Sequence, residues 1–421
     1  GSREALPLNP ASNQKLITAA TALRVLGPAF RMRTALQGTI GDGGNVGLLT
    51  LRGGGDPTLT RADLLALAEG LVDRGVRRVA RIRVDARYFD DQVDPPAYDQ
   101  QPREIAPFRA PVSAVAVEGN AFPLRLLPGP RVGALAQVRI PGVSHFAIDN
   151  RLRTVADGPP RVIADQRARD DGRLDLRLSG TLPMGILGVT YRRRVEHPRR
   201  YAGWVLRDAL DRLGIALPDD LTVDLGPAPS GDPILVTRRS PALAVILREL
   251  GKDSDNFVAE MLLKVVAAEA AGAPGSTEAG CAQARVLLAE AGADLDRVSL
   301  VNGSGLFEGN QVPPQVLTRL LTHVYRQPAL RPEYVAGLAT AGVDGTLVGR
   351  LRDLPEGVSV RAKTGTLAAV ASLSGYIFAS PGEDRAWAFS VIANDVRGQI
   401  GAARRLADDL VRAMASAMVS P

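Results

Sequence analysis

Residues 16–26 are apolar but for two threonines and an arginine, and Gly27-Pro28 closes the run, so the pattern predicts a buried helix there. The polar stretch Ser12-Asn13-Gln14-Lys15 leads into it and places Ser12 in its first turn. Further along, 31–37 and 47–52 read as paired strands about the turn-forming Gly41-Asp42-Gly43-Gly44-Asn45. A helix over 62–74, stopped by Gly75, leads to an alternating strand over 79–84. Phe122, Leu124 and Leu126 alternate, and short strands are expected over 133–140, 144–153, 161–164 and 174–180. An amphipathic helix over 201–213 and a strand over 221–225 follow. From Ser240-Pro241, an N-cap and first-turn pair, the chain changes to helices over 242–250, 257–271 and 282–291. Its close is strand-rich, with strands over 359–367, 371–378 and 387–394 and turns at Ala368-Ala369 and Ser380-Pro381-Gly382-Glu383-Asp384. A last helix over 402–418 should pack on that sheet.

The length of 421 residues allows two or three cores, and 45% apolar with 23% charged residues is the composition of a globular protein. No run approaches the roughly 18 apolar residues of a membrane span. The net charge is +6, yet all but four of the 51 basic residues are arginine, leaving Lys15, Lys252, Lys264 and Lys363. Arginine stays protonated at working pH, so the positions of the lysines point to places where a proton must come off. Aromatics at 4%, with no nucleic-acid-reading motif among the arginines, argue against DNA or RNA as a partner. The densest basic cluster, Arg192-Arg193-Arg194 with Arg199 and Arg200, reads as a solvated face. A single cysteine, Cys281, excludes a disulfide within the chain and reads as a buried, inert thiol. His145, His197 and His323 lack ligand spacing, so neither a metal site nor a Ser-His-Asp triad is expected, and no cofactor is. The chain opens at Gly1-Ser2 with no visible signal peptide.

Ser12 and Lys15 are three apart, and neighbours at that spacing share a helix face, so the Lys15 amine can reach the Ser12 hydroxyl. This arrangement activates a serine without histidine. The glycine-rich Gly53-Gly54-Gly55-Asp56-Pro57-Thr58 lacks the lysine of a phosphate-binding loop and reads as a tight structural turn. Two further polar stretches sit beside buried elements: Ser254-Asp255-Asn256 and Lys363-Thr364-Gly365-Thr366. Lys252 and Asp253 read as solvated neighbours of the first of these.

Ser-x-x-Lys, Ser-Asp-Asn and Lys-Thr-Gly, in this order, are the signature of penicillin-binding proteins and class A β-lactamases. Gly54-Gly55-Asp56-Pro57-Thr58-Leu59, Ala110-Pro111-Val112-Ser113, Gly303-Ser304-Gly305-Leu306 and Asp344-Gly345-Thr346-Leu347 narrow the likeness. The chain resembles, over essentially its whole length, the low-molecular-mass class C penicillin-binding proteins, which are periplasmic D-alanyl-D-alanine carboxypeptidases and endopeptidases. The resemblance implies an α+β fold: a penicillin-binding transpeptidase-like domain, with an antiparallel sheet flanked by helices and a helical subdomain, carrying two nested insertions. The expected division is 1–33 with 237–421 for the DD-peptidase domain, 34–61 with 135–236 for a β-rich insertion, and 62–134 for a small α/β domain nested in it.

The same resemblance implies that Ser12 attacks the carbonyl of the penultimate D-alanine, that Lys15, crowded by Lys363, is the base, and that Ser254 relays a proton to the leaving amine. Asn256 is expected to hold the substrate peptide. Thr364 and Thr366 are expected to hydrogen-bond the terminal carboxylate, Gly365 to leave room for the substrate, and the backbone N–H groups of Ser12 and Thr366 to form the oxyanion hole. The partners implied are peptidoglycan stem peptides, with β-lactams as covalent inhibitors, in the periplasm or another extracytoplasmic space. A binding or sensor protein of the same fold with little turnover is the alternative; a β-lactamase would need an added base for deacylation, and no Glu-x-x-x-Asn element stands in the usual place. The family pattern Asp-Gly-Ser-Gly-Leu-Ser-Arg is here Asn302-Gly303-Ser304-Gly305-Leu306-Phe307-Glu308, which alters charges near the cleft. The family also places sheet strands before the serine; with eleven residues ahead of Ser12, an open sheet edge is expected.

Overall fold

The apolar run at 16–26 is part of helix α1, Gln14–Leu26, whose Leu16, Ile17, Ala20 and Leu23 are buried. The computed structural model describes residues 3–102, 104–142, 144–379 and 385–419. The chain divides into two units: Gly1–Arg31, Asp94–Pro102 and Pro241–Pro421 form the first, and Met32–Val93 with Arg103–Ser240 the second.

In the first unit α1 packs against α2 (Leu243–Lys252), α3 (Asn256–Ala271) and α4 (Thr277–Glu290). Helix α3 is buried along nearly its whole length, because apolar residues occupy every face from Phe257 to Ala268 except for Glu260 and Lys264. Helix α4 begins before the expected 282, since Ser276 accepts a hydrogen bond from the Ala279 N–H and caps a turn that the apolar pattern alone does not mark. Two helices absent from the sequence reading, α5 (Pro314–Tyr325) and α6 (Arg331–Gly337), each start with proline in the first turn, where its missing N–H costs nothing.

The sheet of this unit runs β1 (Ala339–Thr340), β2 (Ser359–Leu367), β3 (Val370–Phe378), β4 (Ala386–Ala393), all antiparallel. The turn expected at Ala368-Ala369 joins β2 to β3; the one at 380–384 lies outside the described residues. Helix α7 (Ile400–Val419) covers one face, packing Val411, Ala415 and Met418 against Val360, Ala362 and Ile377. Since β1 pairs only with Arg361 and Ala362, the edge of β2 from Lys363 onward has no strand beside it among the described residues. The outer edge of β4 is likewise open, and a groove of about 650 Å³ runs along it, lined by Leu6, Leu8, Leu410 and Met414.

The second unit is built on a five-stranded sheet ordered Val223–Leu225, Ile82–Asp85, Leu49–Arg52, Arg33–Gln37, Ile234–Arg239. Helices Arg61–Asp73 and Pro198–Arg212 pack on it, the former opened by a Thr60/Asp63 capping box. Ile82–Asp85, from the stretch expected as a nested α/β domain, pairs within this sheet, and residues 94–102 belong to the first unit. Smaller sheets carry the β-rich remainder. The strand expected over 144–153 is two strands, Phe146–Asn150 and Arg153–Val155, because the Asn150 side chain accepts from the Leu152 N–H and donates to the Ala136 carbonyl, a local turn that breaks the ladder. The arginine cluster is not wholly solvated: Arg194 is buried and bonds Glu196 and the Arg109 carbonyl. In the glycine loop the turn falls at Pro57-Thr58, where Asp56 accepts from the Thr58 N–H at 2.8 Å, and Gly53 packs so closely that a Cβ would stand 2.1 Å from the Ala114 oxygen.

Helix α2 crosses α6 through glycine: a Cβ on Gly251 would lie 2.1 Å from the Gly337 carbonyl oxygen, a rigid backbone atom. Gly251→Ala is therefore expected to destabilise the first unit by about 1–3 kcal/mol through overpacking. Scanning calorimetry would show a thermal midpoint several degrees lower; an unchanged midpoint would contradict this account of the contact.

Candidate active site

Ser12 stands in a single 3₁₀ turn, Ala11–Asn13, immediately ahead of α1 rather than in the helix itself. Ala11, with φ +46°, lies in the left-handed region that a residue with a Cβ adopts only under constraint. The constraint is visible. Ser372 donates to the Pro10 carbonyl at 2.7 Å, Asn13 donates to Ser374 Oγ at 2.7 Å, and the Asn394 side chain accepts from the Asn9 N–H and donates to the Asn9 carbonyl. Behind the turn, Gly305 (φ +75°) comes so close that its Cβ would stand 1.9 Å from the Ala11 oxygen. The strands and the Gly303–Gly305 loop thus clamp the serine from two sides.

Lys15 Nζ sits 3.0 Å from Ser12 Oγ, 2.7 Å from Asn256 Oδ1 and 2.7 Å from the Ser304 carbonyl oxygen. The last two can only accept. A neutral amine has two N–H bonds and one lone pair, so with both N–H bonds given to Asn256 and Ser304 the lone pair is left for the Ser12 hydroxyl proton. Burial pushes the Lys15 ammonium down to about 7, while Glu260 and Asp255 pull it back up. The sequence reading assigned Asn256 to the substrate peptide; here its oxygen also orients Lys15, an amide at the first turn of α3 reaching across to α1.

Glu260, one turn beyond Asn256, accepts from the Gly303 N–H at 3.0 Å and the Ser304 N–H at 2.8 Å, and burial raises its carboxyl above the usual range. It holds the loop whose carbonyl binds Lys15. Asn302, in place of the family's aspartate, accepts from the Gly305 N–H and from the Asn310 side chain, and donates to the Pro96 and Leu306 carbonyls. An amide serves here because both donors and acceptors must be met, which a carboxylate cannot do. Tyr98, brought in by residues 94–102, packs edge-on against Phe307, with its hydroxyl 3.4 Å from Ser304 Oγ.

The second polar pair is Lys363 and Ser254. Lys363 donates to Ser254 Oγ at 2.8 Å and to the Thr364 carbonyl at 2.8 Å. Burial first, and then the charge of Lys15, hold its ammonium well below the usual lysine range. Both lysines border one small apolar hollow with Leu16, Leu250 and Tyr334, which accounts for their desolvation. Ser254 is itself left-handed (φ +61°), and Asp255 after it caps α3 by accepting from the Val258 N–H.

Alternation along β2 splits the third motif between two faces. Lys363 and Gly365 turn to the serine side: a Cβ on Gly365 would meet Ser372 Oγ at 2.2 Å and the Ser12 nitrogen at 3.0 Å, so glycine is required by the nucleophile turn itself. Thr364 bonds Thr346 Oγ1 at 2.8 Å, and Thr366 Oγ1 accepts from Arg404 at 2.8 Å. Lys252 is not the solvated neighbour expected; it forms an ion pair with Asp344, which also accepts from the Thr340 N–H. The residues that sequence reasoning missed are Glu260, Tyr98 and Arg404, while Thr346 stood in the Asp344–Leu347 motif without a role. Of the three, Glu260 had a local signal, a single acid in the apolar run from Phe257 to Leu263.

The geometry sets a serine hydroxyl against a buried amine beside a strand edge with no strand on it among the described residues. The sequence matches the D-Ala-D-Ala carboxypeptidase 3 (S13) family over residues 2–415. It is 34% identical over 409 residues to a D-alanyl-D-alanine carboxypeptidase of an Actinomadura species, covering 93% of this chain and 74% of that protein. Among solved structures it is similar to penicillin-binding protein 4 (dacB) from Haemophilus influenzae, with TM-score 0.80 and 25% identity over 97% of this chain and 92% of that one. The same Haemophilus protein complexed with a β-lactam gives TM-score 0.75. With the α+β fold and its insertions shared over that length and the family match spanning nearly the whole sequence, the chain belongs to the D-Ala-D-Ala carboxypeptidase 3 (S13) family, the low-molecular-mass class C penicillin-binding proteins.

Proposed function

We propose that this serine D-Ala-D-Ala peptidase works through an acyl-enzyme on Ser12, with Lys15 as the base. The observation that carries the reading is the Lys15 amine, 3.0 Å from Ser12 Oγ with its N–H groups committed to two carbonyl-type acceptors. In acylation Ser12 Oγ bonds to the carbonyl carbon of the penultimate D-alanine as its proton passes to Lys15. The C–N bond then breaks, and the terminal D-alanine leaves as an amine that needs a proton back. Ser254, hydrogen-bonded to Lys363, is positioned to deliver it and is refilled with the proton that Lys15 took, which leaves Lys15 neutral again. Water then attacks the ester carbonyl as its proton passes to Lys15, and the C–O bond breaks with that proton returning to Ser12 Oγ. The backbone N–H groups of Ser12 and Thr366 serve as the oxyanion hole, where one donor is worth about 10²–10³ in rate. Because the β2 edge from Lys363 onward has no strand beside it among the described residues, an extended stem peptide adds to it as a strand, with Asn256 on its other side and Thr364 and Thr366 toward its carboxylate. A cross-link ending in the same D-centre fits the same groove, which makes endopeptidase action a second outlet of one acyl-enzyme. β-Lactams acylate the same hydroxyl.

The substrate lies outside the cytoplasmic membrane, and so does this activity; the periplasm is the compartment proposed for it. No helix among the described residues is long and apolar enough to cross a membrane.

Intact-mass measurement after incubation with benzylpenicillin should show one adduct, absent in Ser12→Ala, and a D-Ala-D-Ala peptide should release free D-alanine. Labelling without release would favour a sensor; no label would remove the acyl-enzyme. Lys15→Arg keeps the charge but cannot give up its proton, so acylation should fall by at least about 10²–10⁴-fold. Near-normal labelling in that variant would exclude Lys15 as the base.

The pH dependence has a definite sign. Below about 7 Lys15 carries its proton and cannot accept another, so the acylation rate should rise with pH through a midpoint near 7. Stopped-flow acylation by a chromogenic β-lactam between pH 5 and 9 measures this limb. A flat profile over that range would mean that the base is another group.

A further inference from the structure

The substrate's terminal carboxylate is an anion, and Lys363 and Lys252, which lie nearest the motifs, are both already engaged. Lys363 is buried and shares its amine between Ser254 and a backbone carbonyl. Lys252 is neutralised by Asp344. The two threonines expected to meet the carboxylate can each donate a hydrogen bond but bring no charge.

The missing charge lies one helix away. Val360 and Ala362 on β2 pack into the core beneath α7, and Thr364 and Thr366 continue that same strand face past the end of β1. Arg404, in the second turn of α7, reaches Thr366 and donates Nη2–H to its Oγ1 at 2.8 Å. The hydroxyl's oxygen is thus occupied as an acceptor, and its own proton is left to point at an incoming anion. Arg404 is exposed, its side chain makes no other hydrogen bond, and it has no acidic partner among the described residues. Its guanidinium keeps further N–H donors in a fixed plane that matches a carboxylate.

We propose that Arg404 is the specificity-determining cation of this site, reading the α-carboxylate of the leaving residue together with Thr366 and Thr364. The inference rests on the DD-peptidase reading above. It makes the enzyme selective for substrates whose leaving amine carries a free carboxylate on the same carbon, whether terminal D-alanine or the D-centre of a cross-linking residue, and against the amidated forms.

The test compares Arg404→Ala and Arg404→Lys with the native chain on two probes. An acyl-D-Ala-D-Ala peptide presents the carboxylate; an acyl-D-alanine boronic acid carries the acyl half alone, bonds to Ser12 and has no carboxylate to read. Arg404→Ala should lose about 10- to 100-fold in kcat/KM on the peptide, mostly through KM, the size of a charge-assisted hydrogen bond. Its inhibition constant for the boronic acid should be unchanged. Arg404→Lys should recover part of the loss, because charge returns without the fork. Raising the ionic strength should lower kcat/KM for the native chain more than for Arg404→Ala. Equal losses on both probes would make Arg404 a structural prop and overturn the proposal, and so would no loss on the peptide. If the native chain itself neither releases D-alanine nor captures the boronic acid, the DD-peptidase reading fails, a result distinct from either.

Discussion

The site is organised around an amine taken out of water and given acceptors without an ion-pair partner. Burying an ammonium costs several kcal/mol unless its charge is answered, and the cheapest answer is to give up the proton. At Lys15 the two bonded acceptors besides Ser12 are a side-chain amide and a backbone carbonyl, polar enough to hold a neutral amine and too weak to hold a full charge. Glu260 is near enough to matter electrostatically, but its oxygens are spent on the Gly303 and Ser304 N–H groups. The result is a lysine balanced near 7, where a carboxylate in contact would have fixed it as a permanent cation. Lys363 borders the same apolar hollow, where burial first and then the charge of Lys15 lower its affinity for a proton.

Much of this was legible in the sequence because it is local. Ser12 and Lys15 are one helical turn apart, and Asn256 through Ala271 is an apolar helix with its polar opening intact. The strand 359–367 was placed to the residue, since alternation and the Ala368-Ala369 turn fix both ends. What escaped depends on pairing across distance. The helices beginning at Pro314 and Arg331 carry proline signals but share their stretch with turn-like residues. Nothing in the Pro95-Pro96-Ala97-Tyr98 sequence says that it leaves its neighbours to join the catalytic unit. Lys252 looked solvated because Asp344 lies 92 positions away.

The departures from the family pattern follow the same physics. Asn302 replaces a carboxylate at a buried spot, and the change suits the site: its amide meets two donors and two carbonyls, whereas a second carboxylate beside Glu260 would raise the proton affinity of both. Glu308, where the family has arginine, takes part through its backbone, exchanging hydrogen bonds with the Gln100 side chain. That exchange ties residues 94–102 to the loop that orients Lys15. A segment assigned by sequence to an insertion is thereby built into the support of Lys15.

Strand β2 carries two tasks because its side chains alternate. Odd positions, Lys363 and Gly365, face the serine; even positions, Thr364 and Thr366, face away toward the start of α7. A slip of one residue would exchange these sets, placing threonine hydroxyls where the Lys363 amine meets Ser254 and a lysine where Thr366 meets Arg404. Two features hold the register. The nine-residue pairing with β3 sets Ser374 opposite Lys363 and Ser372 opposite Gly365, and those serines bond Asn13 and the Pro10 carbonyl of the nucleophile turn. Gly365 adds the second, since any larger residue brought there by a slip would collide with Ser372 and the Ser12 nitrogen. The motif's glycine therefore serves the pairing as much as the substrate, and the spacing of its lysine and threonines is the spacing of the strand.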